Sequence, residues 1–270
     1  MKISSSAINL NLKSTPILIT LDVPFILTID CAATMSKHPA DLLVFDPSSL
    51  RIGKELKSSQ ASSIFEVELL GHRYAMKVVS CPQAFTRILL NSQFHDNGDP
   101  GFTRKGRDLN RFRCELNAYR NLHLFGACEQ GVIPYYYGYI DRLDPARFPP
   151  HLNHFINDIN CPKAILLGYL QDTEELNCVN YSDDRLQAAI VGLRRIHSAL
   201  IYYRDIYPKN ILIIRGHPDR VVWIDFDVAV TFDPGKSMGY QAEEYCNLEI
   251  ELVKSFGDLL VCSNPVLVFN

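Results

Sequence analysis

The chain has 270 residues, 47% of them hydrophobic, and a formal charge of −3 at pH 7, with a pI near 6.2. That length and apolar content suit one large domain or two lobes, and the slightly acidic balance excludes a partner held mainly through nucleic-acid phosphates. The eight cysteines are scattered without a C-x-x-C pair, which argues against a zinc site and for reduced thiols in a cytoplasmic or nuclear protein.

Residues 1–41 form an N-terminal extension of uncertain structure, rich in serine and β-branched residues. Its apolar run "PILITLDVPFILTID" is interrupted by Asp22 and Pro24 and is too short to cross a bilayer as a helix. Strand-like packing or a loosely attached extension is expected, and no membrane partner. Farther on, "SSIFEVELLGHRYAMKVVS" alternates apolar residues on both sides of a Gly71 turn, which predicts a β-hairpin. Residues 81–108, with their Gly and Pro, read as loop.

From about Asp108, Leu109, Phe112, Leu116, Tyr119 and Leu122 recur at helical spacing and Gly126 follows, so an amphipathic helix is expected. "VIPYYYGYI" and "KAILLGYL" read as strands separated by a Pro-rich loop, residues 141–163. In that loop His151 and His154 form an H-x-x-H pair with nothing nearby to complete a ligand set, so a surface position is expected. A second helix, "SDDRLQAAIVGLRRIHSAL", has Ser182 or Asp183 as its N-cap. Short strands "NILII" and "VVWIDF" follow, then a last helix, "AEEYCNLEIELVKSFGDLL". Sheet early and helix late predict an α+β chain in two lobes with a hinge near residues 168–172.

Five chemically distinctive stations fall in one order: Lys77 in "YAMKVV", Glu115 on the first helix, "LLGYL" at the hinge, Asp205 and Asn210 in "YRDIYPKN", and Asp225 in "IDFD". Over roughly residues 50–230 this order resembles the protein kinase-like superfamily, and its style is similar to the divergent protein kinase-like proteins of filamentous fungi. "YAMK" is similar to the V-A-I-K strand, "YRDIYPKN" to the H-R-D-x-x-x-x-N catalytic loop, and "DFD" to D-F-G.

The resemblance implies a bilobal fold with a β-rich N-terminal lobe, residues 42–168, and a truncated helical C-terminal lobe, residues 169–270. It implies an ATP-dependent phosphotransferase with ATP and Mg2+ as cofactors, acting on a protein or small-molecule hydroxyl. Lys77 would meet the phosphates and Glu115 would orient it; Asp205 would take or orient the acceptor proton; Asn210 and Asp225 would hold the metal. Adenine would lie against Ala75 and Leu167 and be read by the main chain of Gly168 and Leu170.

Several positions depart from the pattern. Lys57, Ser59 and Ser62 fill the positions of the Gly-rich loop, where glycine lets the backbone approach phosphate, so Ser59 and Ser62 are partial substitutes and lysine is not. Tyr203 replaces the histidine before Arg204, Tyr207 replaces the loop lysine with Lys209 two residues on, and Asp227 stands at the D-F-G glycine. Thr231, Ser237 and Tyr240 lie where an activation loop would be phosphorylated to meet Arg204, against the plainer reading of a structural arginine. Past Asp227 come 43 residues without an A-P-E motif, room for one long helix. Two alternatives stand beside the enzyme: a non-catalytic pseudokinase used as a binding module, and a small-molecule kinase.

Overall fold

A computed structural model describes residues 49–59, 62–79, 99–104, 106–158 and 160–261. The extension 1–41 and most of the predicted 81–108 loop lie outside the described residues. Within them the chain is α+β, with three helices and three sheets whose paired strands are all antiparallel.

The predicted hairpin is β2 (Ser62–Leu69) and β3 (His72–Val79), preceded by β1 (Arg51–Ser58). Leu70 and Gly71 join the hairpin with φ of 53° and 79°, the left-handed pair that matches strand twist in a two-residue turn. Sequence reading misses β1 because almost all its side chains are exposed, so no apolar alternation marks it. The sheet continues through β5 (Lys163–Gly168) to β4 (Tyr136–Ile140), in the order β1-β2-β3-β5-β4.

Alternation along β3 then decides what faces where. Tyr74, Met76 and Val78 enter a smaller core with Phe65, Val67 and Leu166, while Ala75 and Val79 face the larger core on the other side. The Pro-rich segment 141–163 is not a mere surface loop: Leu143, Phe148, Leu152 and Phe155 are buried in the smaller core and cover that face of the sheet. Both histidines lie over one face of β2: His151 meets the Phe65 ring edge-on, and His154, exposed as expected, has Nε2 3.3 Å from Ser63 Oγ.

The first helix, α1 (Arg111–Leu124), starts later than expected because the Asn110 side chain accepts from the Arg113 N–H and caps it. Leu109 therefore lies outside the helix at 39% exposure, whereas Phe112, Leu116, Tyr119 and Leu122 form its buried stripe as expected. The second helix, α2 (Asp183–Ser198), is capped by Ser182, whose Oγ accepts from the Arg185 N–H. Around it lie a sheet of β6 (Thr173–Glu175), β8 (Ile211–Ile214) and β9 (Arg220–Trp223), and a two-stranded ribbon of β7 (Ile201–Tyr202) and β10 (Val230–Thr231). The last helix, α3, spans Tyr240–Val261. Among the described residues no helix is long and apolar enough to cross a membrane, and Cys114, Cys128, Cys161 and Cys246 are free thiols.

The only tryptophan, Trp223, reports on how tightly α2 meets β9. Its indole N–H donates to Ala189 O at 2.9 Å, and a Cβ added at Gly192 would lie 3.0 Å from its ring. Gly192→Ala gains about 1 kcal/mol of helix propensity but overpacks a buried ring, at a cost of roughly 1–3 kcal/mol. Net destabilisation is expected, read by urea unfolding followed through Trp223 fluorescence.

Candidate functional site

The site starts from an energetic demand. Lys77, on the central strand β3, is 5% exposed, and a buried ammonium must be paired. Its Nζ lies 2.7 Å from Glu115 Oε2 and 2.7 Å from Asp225 Oδ1, ligands contributed by α1 and by the turn after β9. Glu115 is 1% exposed, on the same buried stripe as Phe112, Leu116 and Tyr119, and Lys77 is its buried counter-charge.

Burial dominates the electrostatics and pairing redistributes it. Burial pushes the Glu115 carboxyl up to about 7; Lys77 opposes this, and Asp225 and Asp227 add to it. For Lys77 burial works toward the neutral form, but the carboxylates of Glu115, Asp225 and Asp227 together hold it above its ordinary range. Burial works against ionised Asp225 too, and Lys77 outweighs it, leaving that carboxyl below its usual value.

Asp225 reaches Lys77 through an unusual backbone. It has φ of 66°, a left-handed conformation that aspartate tolerates better than most residues and that its surroundings here support. One constraint is the Ile224 N–H donating to Asn210 O at 3.0 Å, which ties the turn to the loop after β7. In that loop the Asn210 amide nitrogen donates to Asp205 Oδ2 at 2.7 Å and to Asp205 O at 2.9 Å. The structure thus brings Lys77, Glu115 and Asp225 into direct contact and ties the Asp205–Asn210 pair beside them.

A second constraint is a column of rings. Tyr136 stacks on Tyr119, Tyr119 meets Phe226 edge-on at 5.3 Å, Phe226 meets Tyr203 at 5.2 Å, and Tyr203 meets Trp223 at 5.2 Å. All five are essentially inaccessible to solvent. The Tyr203 hydroxyl donates to Ile224 O, which fixes the peptide leading into Asp225.

The remaining predicted residues divide. Ala75 pairs directly with Leu167 across β3 and β5, two positions from Lys77 and on its face of the sheet. Gly168 closes β5, where its N–H donates to Tyr135 O at 2.7 Å; a Cβ there would crowd Tyr135 N at 3.3 Å, so a close backbone approach accounts for this glycine. Leu170 follows, half-buried. Ser59 and Ser62 close the β1–β2 turn on each other, through Ser59 N–H to Ser62 O at 2.8 Å and Ser62 N–H to Ser59 Oγ at 3.1 Å. Lys209 is exposed, with its ammonium over the Tyr207 ring. Thr231 sits in β10 with a buried hydroxyl and is no accessible loop residue, while Tyr240 is exposed at the start of α3.

Two contributors escape sequence reading. Arg111 lies one helical turn before Glu115, and its guanidinium donates to Asp227 Oδ2 at 2.5 Å. Burial pushes the Asp227 carboxyl up and Asp225 adds to this, while Lys77 and Arg111 oppose it. The turn thus holds its second carboxylate by ion pairing. Glu249 on α3 reaches the loop from beneath: Oε1 accepts the Arg204 N–H, and Oε2 accepts the Tyr203 N–H at 3.3 Å and lies 2.8 Å from His197 Nε2. His197, Cys246 and Glu249 offer ligand atoms within 4.8 Å of one another, but N–H donors already engage both Glu249 oxygens, which makes the cluster a hydrogen-bonded brace. The signal for Glu249 was its place between Cys246 and Val253 on the apolar stripe of α3.

No protein-family model and no curated protein matches this chain.

Proposed function

We propose that the chain is an ATP-dependent phosphotransferase of protein kinase-like type, with a bilobal protein kinase-like fold, that moves the γ-phosphate of ATP to a hydroxyl acceptor. One observation carries the reading: a buried lysine shared between a helix carboxylate and a left-handed aspartate, with an Asp–Asn pair hydrogen-bonded alongside. A structural ion cluster needs only the buried lysine and its carboxylates; the Asp–Asn pair alongside is what supports the catalytic reading.

The donor set fits ATP and Mg2+. Asn210 spends its amide nitrogen on Asp205, so the amide oxygen is the atom left to offer a cation, and Asp225 adds a carboxylate kept ionised by Lys77. Bound there, Mg2+ would supply charge neutralisation for the phosphates. Lys77 contributes a fixed cation for the phosphates, and Glu115 keeps it in place. Asp205, held through Asn210, is positioned to receive or orient the proton of an acceptor hydroxyl. Ala75 and Leu167 offer adenine an apolar wall, with the Gly168 and Leu170 main chain at its edge.

A non-catalytic nucleotide-binding module is the second reading, favoured by the self-closed Ser59–Ser62 turn, which offers no glycine backbone to phosphate. Thermal denaturation with and without Mg2+-ATP decides. At about 100 times its dissociation constant a ligand adds roughly 2.7 kcal/mol. The wild type should show this shift and Asp225→Asn should lose it, while Asp205→Ala should keep the shift and lose ATP turnover. A wild type that shifts without any turnover points to the module, and a wild type with no shift overturns both readings.

A further inference from the structure

Lys57 occupies a position where its sheet row and its partner point in one direction. In the register it pairs with Ile64, and Ile64 pairs with Lys77, so the three lie in one row across β1, β2 and β3 with their side chains on one face. At about 4.8 Å per strand, the Cα of Lys57 stands roughly 10 Å from that of Lys77. Two cations therefore project from the same face of the sheet, one buried beneath its carboxylates and the other at the rim.

The rim cation does not stay on its own sheet. Its Nζ reaches Glu175 Oε1 at 2.7 Å, 118 residues further along the chain. Glu175 ends β6 and pairs with Leu212 of β8, two residues past Asn210. The Lys57–Glu175 pair thus links the sheet that carries Lys77 to the strands that follow Asn210. Both side chains are about half exposed, 51% and 48%, and an ion pair in that setting is weak and exchangeable.

A polyphosphate bound beside Lys77 carries more negative charge than one carboxylate. We propose that Lys57 is a second phosphate-binding cation of this site, parked on Glu175 in the ligand-free protein and transferred to the β- and γ-phosphates of a bound nucleoside triphosphate. The proposal rests on reading the Lys77–Asp225 cluster and its Asp205–Asn210 neighbour as a nucleotide site. It also accounts for the missing glycines: where the backbone of this turn is closed by Ser59 and Ser62, a side-chain cation from the same strand replaces the main-chain N–H groups that glycine would bring to the phosphates.

The two residues should act in opposite directions. By isothermal titration calorimetry with Mg2+-ATP, Lys57→Met should weaken binding about tenfold or more, and Glu175→Gln, which frees Lys57 from its competitor, should tighten it severalfold. Adenosine, which lacks phosphates, should bind the wild type and both variants equally. Melting temperatures of the ligand-free variants control for folding; the pair is exposed, so both should stay near the wild type. If the wild type binds ATP and Lys57→Met binds it as well, or if both variants shift affinity in the same direction, the proposal fails while the nucleotide site stands. A wild type that binds neither ATP nor adenosine overturns the site and the proposal together.

Discussion

Lys77→Met is expected to destabilise the protein by about 3–5 kcal/mol near pH 8, the range for removing one partner from a buried ion pair. The loss is dominated by Glu115, which at 1% exposure and without Lys77 to oppose its burial must either hold an unpaired charge or take up a proton that the unfolded chain does not bind at that pH. Asp225 contributes less, because a third of its side chain meets solvent, which screens it. Acid should soften the defect, since a protonated Glu115 needs no cation.

The same group gives the wild type a pH signature. Glu115 is raised from 4.5 to about 7, so the folded state binds its proton more tightly than the unfolded chain does. That contribution is complete below pH 4.5 and disappears as pH climbs through 7. Lys77 is raised above its ordinary value, so its contribution is complete below pH 10.5 and is lost only in strong alkali. Between pH 5 and 8 Lys77 stays charged and Asp225 stays ionised, so the change within this cluster comes from Glu115, with Asp227 raised in the same direction. Urea midpoints at half-unit steps should fall over that window, and Glu115→Gln should flatten the slope. A Glu115→Gln profile parallel to the wild type would show that the carboxyl titrates normally.

Periodic signals were legible in the sequence and accidental neighbours were not. Phe112 to Leu122 announced α1 because a buried stripe repeats every three or four residues, and alternation around Gly71 announced β2 and β3. The edge strand β1 and the two-residue strands β7 and β10 gave nothing to read, since exposed or very short strands need no alternation. At the site, Lys77, Glu115, Asp205, Asn210 and Asp225 were found through chain order and residue type. Their contacts, and those of Arg111 with Asp227 and Lys57 with Glu175, depend on how distant elements pack. The covered face of the sheet was misjudged for the same reason: proline and histidine suggested a surface loop in residues 141–163, while Leu143, Leu152 and Phe155 supplied a core.

Glu249 gives the second large effect. Its carboxylate takes the main-chain N–H groups of Tyr203 and Arg204 and bonds His197, which fixes the entry to the loop bearing Asp205 and Asn210. Arg204 has φ of 72°, so this entry is a strained segment that needs outside support. Glu249→Ala orphans three buried or half-buried donors at about 1–3 kcal/mol each; because water fills part of the gap, a total of roughly 3–5 kcal/mol is expected. Glu249→Gln keeps one acceptor oxygen for the Arg204 N–H but turns an NH2 toward the Tyr203 N–H, so a smaller loss of about 1–3 kcal/mol follows. Urea unfolding gives the totals. Amide hydrogen exchange separates a local brace from general weakening: the Tyr203 and Arg204 amides should lose more protection in Glu249→Ala than amides in β2 and β3, since α3 packs on α2 and β7 instead. Uniform loss across the chain would mean that α3 merely packs against α2, and the loop carrying Asp205 would then owe its shape to Tyr203 and Asn210 alone.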